Sequence, residues 1–122
     1  MTSDKIRIVL VEDDVDLAAI LQMALEDEGL RVHVAHEGRS GLELIEEVHP
    51  DVIVTDLVMP VLDGLGLIQQ HCGKPGLRAP VIAVSAMGSR LRAARDLGAV
   101  EGLIKPVPPA ELAAVVRKAA HR

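Results

Sequence analysis

The chain contains 122 residues, of which 49% are hydrophobic and 25% are charged, and this length fits one globular domain, which we expect over residues 1–122. Eighteen acidic residues outweigh thirteen basic ones, and the net charge of −5 has the wrong sign for a domain that holds nucleic acid by its phosphates. Phe, Trp and Tyr are absent, so single-stranded nucleic acid would find no aromatic ring on which to stack, and we exclude direct nucleic-acid binding.

The first half of the chain alternates apolar, β-branched runs with segments of helical periodicity. Strands are predicted at residues 6–11, 31–35 and 52–55, and helices at residues 14–28 and 40–48. Gly29 is predicted to end the first helix in the left-handed conformation. That helix carries an apolar stripe, which we expect to face inward and which consists of Leu17, Ile20, Leu21, Ala24 and Leu25.

The same alternation continues through the second half. A short helix is predicted at residues 65–71, after the turn Asp63-Gly64, and strands at residues 81–84 and 102–104. The last two helices are predicted at residues 89–97, closed by Gly98, and from Pro109 onward. Five strands that alternate strictly with five helices predict a parallel sheet with right-handed crossovers and helices on both faces.

The cysteine count and the lengths of the apolar runs bear on where the protein works. Cys72 is the single cysteine and cannot pair within the chain, so we expect a structural thiol, a reducing compartment and a cytoplasmic location. No apolar run approaches the roughly 20 residues that cross a bilayer, and we expect no membrane partner. The histidines show no metal-ligand spacing and are predicted to lie on the surface; they are His33, His36, His49, His71 and His121.

Polar side chains follow four of the five predicted strands. In an open parallel sheet, ligands bind outside the carboxyl ends of the strands, so these positions are the candidate site. Each has a structural alternative, because acids can cap a helix, a serine can satisfy local backbone and an isolated lysine is usually solvated. The residues are Glu12, Asp13 and Asp14 after the first strand, Asp56 after the third, Ser85 after the fourth and Lys105 after the fifth.

The combination of these residues favours a specific chemistry. Three carboxylates at one edge repel one another unless a cation lies among them, and hard divalent ions prefer oxygen ligands, which makes Mg²⁺ the expected cofactor. A carboxylate can also attack phosphorus and form an aspartyl phosphate. A metal ion and a lysine would then neutralise the phosphoryl oxygens, and a hydroxyl group would bind one of them.

Four sequence blocks carry a family resemblance. They are VEDD at residues 11–14, VTDLVMPVLDG at residues 54–64, VSA at residues 84–86 and IKP at residues 104–106. Their order and spacing resemble the receiver domains of two-component response regulators, and the length resembles the single-domain, chemotaxis-regulator-like members. The resemblance implies a flavodoxin-like (βα)5 three-layer sandwich whose five-stranded parallel sheet has the order 2-1-3-4-5.

The resemblance also assigns roles to individual residues. It implies that Asp56 is the phosphoacceptor, that Ser85 and Lys105 contact the phosphoryl group, and that the Lys105-Pro106 bond is cis. The implied metal ligands are the side chains of Glu12, Asp13 and Asp56 and the backbone carbonyl of Val58. Asp14 lies one position beyond the metal pair and is predicted to cap the first helix instead.

The implied partners are a histidine kinase or phosphotransfer protein and a downstream target. In this family the fourth helix, fifth strand and fifth helix form the usual output surface, although a solvated basic face is the simpler alternative. The candidate residues there are Arg90, Arg92, Arg95, Gly102, Arg117 and Lys118. Such a chain would catalyse its own phosphotransfer and slow autodephosphorylation without being a conventional enzyme.

Three positions depart from the family pattern or set its properties. Gly102 stands where the family usually has Tyr or Phe, so the usual aromatic rotamer switch cannot operate. Val58 and Met87, two residues after the acceptor and the hydroxyl residue, lie where members of the family tune hydrolysis, and their apolar side chains predict a slowly decaying phosphoryl group. Residues 85–98 form a shorter segment than in typical members.

Four alternatives stay open at this stage. A phosphohydrolase of the haloacid dehalogenase type would need a second Asp where this chain has Val58. The chain could be an N-terminal receiver cut from a larger transcription factor or signalling enzyme, or a phosphate-relay intermediate. A receiver that is never phosphorylated and acts only as an interaction module is disfavoured by the intact acidic set.

Overall fold

Ten elements alternate along the chain in the computed structural model, which describes residues 5–59, 62–76 and 78–121. The strands are β1 (Arg7–Val11), β2 (Arg31–Ala35), β3 (Val52–Asp56), β4 (Val81–Ser85) and β5 (Glu101–Ile104). The helices are α1 (Val15–Asp27), α2 (Gly38–Val48), α3 (Gly64–Cys72), α4 (Gly88–Asp96) and α5 (Pro109–Ala120). All ten predicted elements are therefore confirmed, and most boundaries differ from the predictions by one or two residues. Pro60 and Val61 of the second sequence block lie outside the described residues.

The five strands form one parallel sheet in the order β2-β1-β3-β4-β5, which confirms the predicted fold class. β1 pairs with β3 from Ile8 opposite Val52 to Val11 opposite Thr55, and β3 pairs with β4 up to Asp56 opposite Val84. The strand sequences support this arrangement, because continuous apolar, β-branched runs are typical of parallel strands that are buried on both faces. The carboxyl ends of β1, β3 and β4 consequently lie side by side.

Two apolar layers cover the faces of the sheet. Val9, Ile53 and Ala83 point to the layer that contains α2, α3 and α4, whereas Leu10, Val54 and Val84 point to the layer that contains α1 and α5. Successive strand residues face opposite sides, so each strand contributes to both cores. The result is the expected three-layer sandwich. No helix in the described ranges is both long enough and apolar enough to cross a bilayer.

The structure can be compared with two further predictions, the glycines that end two helices and the apolar stripe of α1. Gly29 has a φ angle of 90°, which confirms its predicted left-handed conformation after α1, and Gly98 after α4 also has a positive φ, of 121°. In the predicted stripe of α1, Leu25 is fully buried, but the expectation for Ile20 is wrong, because this side chain is 63% exposed. The neighbouring Met23 is 67% exposed. One face of α1 therefore presents apolar side chains to solvent.

The surface prediction is wrong for His71, which is 3% exposed. Its Nε2 donates a hydrogen bond to the carbonyl oxygen of Ala79 at 3.0 Å, and this bond satisfies the buried ring. Burial lowers the pKa of the imidazole below its ordinary value of 6.5, and the nearby cations Arg78 and Lys74 act in the same direction. His71 lies on the buried face of α3 together with Gly64, Leu67 and Ile68. The i, i+3, i+4, i+7 spacing of these four residues is the sequence pattern that could have predicted its burial.

We expect the stability of the protein to fall as the pH decreases below about 6.5, because His71 is held neutral in the folded state. In that range the unfolded chain takes up a proton that the folded chain does not, so protonation favours unfolding. Urea unfolding across this pH range measures the effect. His71→Gln, which keeps a donor for Ala79 but does not titrate, should show a flatter pH dependence than the wild type. Equal pH dependence in wild type and His71→Gln would contradict this assignment.

Candidate functional site

Four strand ends bring the predicted site residues to one edge of the sheet. Glu12 directly follows β1, Asp56 is the last residue of β3 and Ser85 is the last residue of β4. The backbone N–H of Lys105 donates to the carbonyl oxygen of Ser85 at 3.0 Å, which places the start of the last loop beside β4. The Lys105-Pro106 bond is cis, as the family resemblance implied. Parallel pairing therefore collects residues that are far apart in sequence.

Three carboxylates converge at this edge. One oxygen each from Glu12, Asp13 and Asp56 lie within 4.8 Å of one another. Glu12 and Asp56 are 3% and 8% exposed, whereas Asp13 is exposed to solvent. Two of the three carboxylates are therefore buried, and the third faces solvent. An ion could reach this cluster from solution on the side of Asp13.

Lys105 bridges two of these carboxylates. Its Nζ lies 3.1 Å from Oε1 of Glu12 and 3.3 Å from Oδ2 of Asp56. Burial alone lowers the pKa of Lys105, but the hydrogen bond to Glu12 and the attraction of both carboxylates outweigh burial and leave this pKa raised. Burial raises the pKa of Glu12, although the N–H of Asp14 and the ammonium of Lys105 oppose that rise. The ammonium group is therefore firmly charged and positioned at the phosphoacceptor candidate.

The loop between β1 and α1 holds Glu12 in place. The backbone N–H of Asp14 donates to Oε2 of Glu12 at 3.1 Å, and Nδ1 of His36 lies 3.1 Å from the Glu12 carbonyl oxygen. Asp14 itself turns away from the cluster and accepts a hydrogen bond from the N–H of Leu17 at 3.0 Å. This bond confirms the prediction that Asp14 caps α1, because a side-chain oxygen satisfies one of the free N–H groups in the first turn.

The donor set fits a divalent cation. When all three carboxylates are ionised, the single ammonium of Lys105 leaves two uncompensated negative charges, which a divalent ion balances. The available atoms are carboxylate oxygens, the donors that Mg²⁺ prefers over softer ligands. The described residues thus contain an acidic cluster that suits Mg²⁺.

Ser85 connects the site to the loop before α4. Its side chain is 1% exposed, and its Oγ accepts a hydrogen bond from the N–H of Met87 at 3.1 Å. A hydroxyl group has one proton to donate besides the bonds it accepts. The hydroxyl of Ser85 is therefore tied to the next loop while its proton stays free for a bound group.

Gly64 is a site-supporting residue that the sequence analysis treated only as part of a turn. Its N–H donates to the carbonyl oxygen of Leu57 at 3.1 Å, which brings the start of α3 against the segment that follows β3. A Cβ on Gly64 would lie 2.7 Å from the Cα of Leu57 and closer still to the carbonyl oxygen of Asp56. Contacts this short do not occur at real Cβ atoms, so only glycine permits α3 to support the backbone of Asp56.

Comparison with known proteins gives the family. The response regulator receiver domain matches residues 8–117 of this chain. The chain belongs to this family. Phosphorylation on an aspartate and magnesium binding are typical of these receiver domains.

Individual relatives support the assignment. The chain is 32% identical to the probable transcriptional regulator ycf27 of Cyanophora paradoxa, over 100% of this chain and 51% of that protein. It is 36% identical to the transcriptional regulatory protein CpxR of Escherichia coli, over 95% of this chain and 50% of that protein. The receiver domain thus spans about half the length of these curated relatives.

A solved structure supports the same conclusion for the fold. The Francisella response regulator 1452 receiver domain superposes with a TM-score of 0.89 at 29% identity, covering 97% of this chain and 98% of the other. The family and the flavodoxin-like fold predicted from the sequence are both confirmed. This assignment favours the receiver domain over the phosphohydrolase alternative.

Gly102 on β5, where the family resemblance leads us to expect an aromatic residue, packs closely against α4. A Cβ at this position would lie 3.3 Å from the Cβ of Leu91, so the side chain of Leu91 on α4 already occupies the adjacent space. That contact is tighter than ordinary van der Waals packing. A larger residue at position 102 would therefore require the side chain of Leu91 to shift.

The basic residues of the predicted output surface are largely paired with acids. Arg90 lies 3.9 Å from Asp63, and Arg95 donates to Glu101 at 3.0 Å. Arg117 on α5 pairs with Glu28 at the end of α1. Exposed ion pairs of this kind leave the local charge close to neutral, so the surface of the receiver domain is less basic than the sequence indicated. The role of this surface in docking stays a prediction.

Proposed function

We propose that residues 1–122 form one receiver domain whose Asp56 accepts a phosphoryl group. The observation that carries this proposal is the position of Lys105, whose ammonium bridges Glu12 and Asp56 beside the exposed carboxylate of Asp13. The proposed nucleophile Asp56, the ammonium of Lys105 and the carboxylates suited to a metal ion thus lie together at one edge of the sheet. Ser85, at the end of the adjacent strand, adds a hydroxyl donor.

In this proposal the Asp56 carboxylate attacks phosphorus and the bond from phosphorus to the donor's leaving atom breaks. The ammonium of Lys105 balances charge on the phosphoryl oxygens, and the hydroxyl of Ser85 donates to one of them. A bound Mg²⁺, held by Glu12, Asp13, Asp56 and the backbone carbonyl of Val58, would supply further charge neutralisation. The chain would catalyse this transfer and its own slow dephosphorylation, and it does not belong to a conventional enzyme family.

The donor in this proposal is a phosphohistidine on a histidine kinase or phosphotransfer protein, the partners of receiver domains in general. A cytoplasmic location belongs to the same proposal, because the single cysteine, Cys72, is a free thiol, which is typical of proteins in reducing compartments. The downstream partner is proposed to dock on α4, β5 and α5. Two alternative contexts are a receiver within a larger regulator and a phosphate-relay intermediate. The mass of the native gene product tests whether the receiver is part of a larger regulator.

Intact-mass spectrometry of the wild-type protein tests this function. Incubation with acetyl phosphate and Mg²⁺ should add the mass of one phosphoryl group, and a chelator should prevent the addition. Calorimetry should detect Mg²⁺ binding in the same preparation. A protein that binds neither Mg²⁺ nor the phosphoryl group would be an interaction module that only shares the receiver fold.

Asp13→Asn is expected to weaken Mg²⁺ binding at least about tenfold, equivalent to about 1.4 kcal/mol, because the cation loses an anionic oxygen. Asp13 is exposed, so its replacement should leave the fold intact. Calorimetric titration with Mg²⁺ measures the effect. Asp14→Asn is the matched control, since Asn caps a helix as well as Asp and Asp14 lies outside the cluster. Unchanged affinity in Asp13→Asn would remove Asp13 from the metal site.

The aspartyl phosphate is expected to decay slowly, and Val58→Asn should accelerate its decay several-fold. Val58 and Met87 are 52% and 50% exposed, two residues after Asp56 and Ser85, and neither side chain can orient an attacking water by a hydrogen bond. The decay rate is measured after removal of the phosphodonor. Ile20→Asn replaces another exposed apolar residue, which lies on α1, and should leave the rate unchanged. Rapid decay in the wild type that is insensitive to Val58→Asn would contradict the prediction.

Output is proposed to proceed through the loop between β4 and α4. The N–H of Met87 bonds to the Ser85 hydroxyl, so a Ser85 that turns to a phosphoryl oxygen alters the support of this loop. Gly88 starts α4 in open space, and the helix carries Arg90 and Arg92 toward the proposed docking surface. This route needs no aromatic rotamer change at Gly102.

A further inference from the structure

An apolar cavity of about 190 Å³ lies between α1, α5 and the sheet, directly below the acidic edge. Its walls are aliphatic except at one end, where Glu12, Asp56 and Lys105 contribute. The lining residues that enter the argument are Leu10, Val54, Val84, Leu17, Leu21 and Val107.

Burial distinguishes the floor of this cavity from its mouth. Leu10 and Val54 on the sheet are each 2% exposed and form the floor. Leu17 and Leu21 on α1 and Val107 after β5 are only partly buried, so the cavity opens toward solvent between α1 and the loop that carries Lys105. A ligand could therefore enter without unfolding the core.

Composition explains why this space is not filled by the protein. The chain has no Phe, Trp or Tyr, and the layer between α1, α5 and the sheet is built from Leu, Ile, Val and Ala. Protein interiors are normally packed as densely as organic crystals, and an apolar void destabilises a fold in proportion to its volume. Filling the cavity from outside would recover contacts that the chain itself does not make.

We propose that this cavity binds a small, uncharged, mainly apolar molecule, of the size of a single six-membered ring with one or two substituents. Charge favours a neutral ligand, because the charged groups at the end of the cavity, Glu12, Asp56 and Lys105, are already paired with one another. A charged ligand deeper in the cavity would lose water to aliphatic walls. Size supports the same class, since an engineered apolar cavity of about 150 Å³ in another protein binds benzene. The proposal does not rest on phosphorylation, although Asp56 and Lys105 border both sites.

Toluene is the probe, and methyl-detected NMR of the intact protein is the measurement. We expect saturable shifts of the Leu17, Leu21 and Val107 methyl groups, together with a rise in the unfolding temperature that increases with toluene concentration. Shifts that grow linearly without saturation, or saturable shifts on other methyl groups, would show non-specific partition and overturn the proposal.

Two neighbouring positions on α1 provide matched variants. Leu21→Phe extends a ring into the cavity and should abolish the toluene shifts, whereas Ile20→Phe places the same ring on the exposed face, where Ile20 is 63% exposed, and should preserve them. Toluene binding to Leu21→Phe at wild-type affinity would overturn the site. If Leu21→Phe does not fold, the wild type under xenon pressure tests the cavity instead. Xenon should shift the methyl groups of Leu17, Leu21 and Val107, and the absence of these shifts would overturn the proposal. Phosphorylation is assayed separately by intact mass, so failure of either proposal leaves the other interpretable.

Discussion

Asp56→Asn is expected to lose phosphorylation completely while it keeps the fold. The amide of Asn is a far weaker nucleophile toward phosphorus than a carboxylate, so the variant should gain no phosphoryl mass with acetyl phosphate and Mg²⁺. Stability without Mg²⁺ should be unchanged or raised, because one of three mutually repelling carboxylates is removed. Intact-mass spectrometry and urea unfolding measure the two quantities on one sample.

The control for this variant is Asp14→Asn, which changes the charge by the same amount in the loop after β1. Asp14 caps α1 and does not belong to the carboxylate cluster, so phosphorylation should continue. A phosphoryl adduct on Asp56→Asn would mean that another residue is the acceptor. Loss of the adduct in both variants would mean that overall charge, and not the identity of Asp56, governs the reaction.

Gly64→Ala is expected to destabilise the protein by about 3 kcal/mol or more, the largest effect we predict for a single methyl group. The added Cβ would meet the backbone of Leu57 and the carbonyl oxygen of Asp56, and backbone atoms cannot move aside as a flexible side chain can. Displacement of α3 would also shift Asp56, so phosphorylation should slow in whatever fraction remains folded. Urea unfolding and the rate of phosphoryl incorporation are the measurements.

Gly88→Ala provides the matched control on another helix. A Cβ at Gly88, the first residue of α4, meets nothing within 4 Å. Replacement of a helical glycine at such a position should leave stability unchanged or raise it by about 0.5 kcal/mol, because alanine loses less backbone entropy on folding. Similar losses in Gly64→Ala and Gly88→Ala would show that the close approach at Gly64 is not the cause.

The strand order came from the family resemblance, whereas the sequence patterns by themselves determined the ten elements and the residues at the strand ends. This was possible because hydrophobic periodicity and helix-ending glycines such as Gly29 are local signals. The strand ends then follow from topology, since parallel pairing brings the ends of β1, β3 and β4 to one edge. The roles of Asp56, Ser85 and Lys105 came from the family resemblance and stay predictions.

Tertiary structure alone decided which of these groups pair and which faces are buried. Lys105 bridges Glu12, 93 residues away, and Asp56 because three strands and one loop converge there. Helical periodicity is present in both α1 and α3, yet Ile20 is exposed and His71 is buried. The residues of an apolar stripe are buried only where another layer of the fold covers them. The close approach at Gly64 and the cavity beside α1 have the same origin: sequence patterns specify directions along one element, whereas distances between elements depend on how all the side chains pack together.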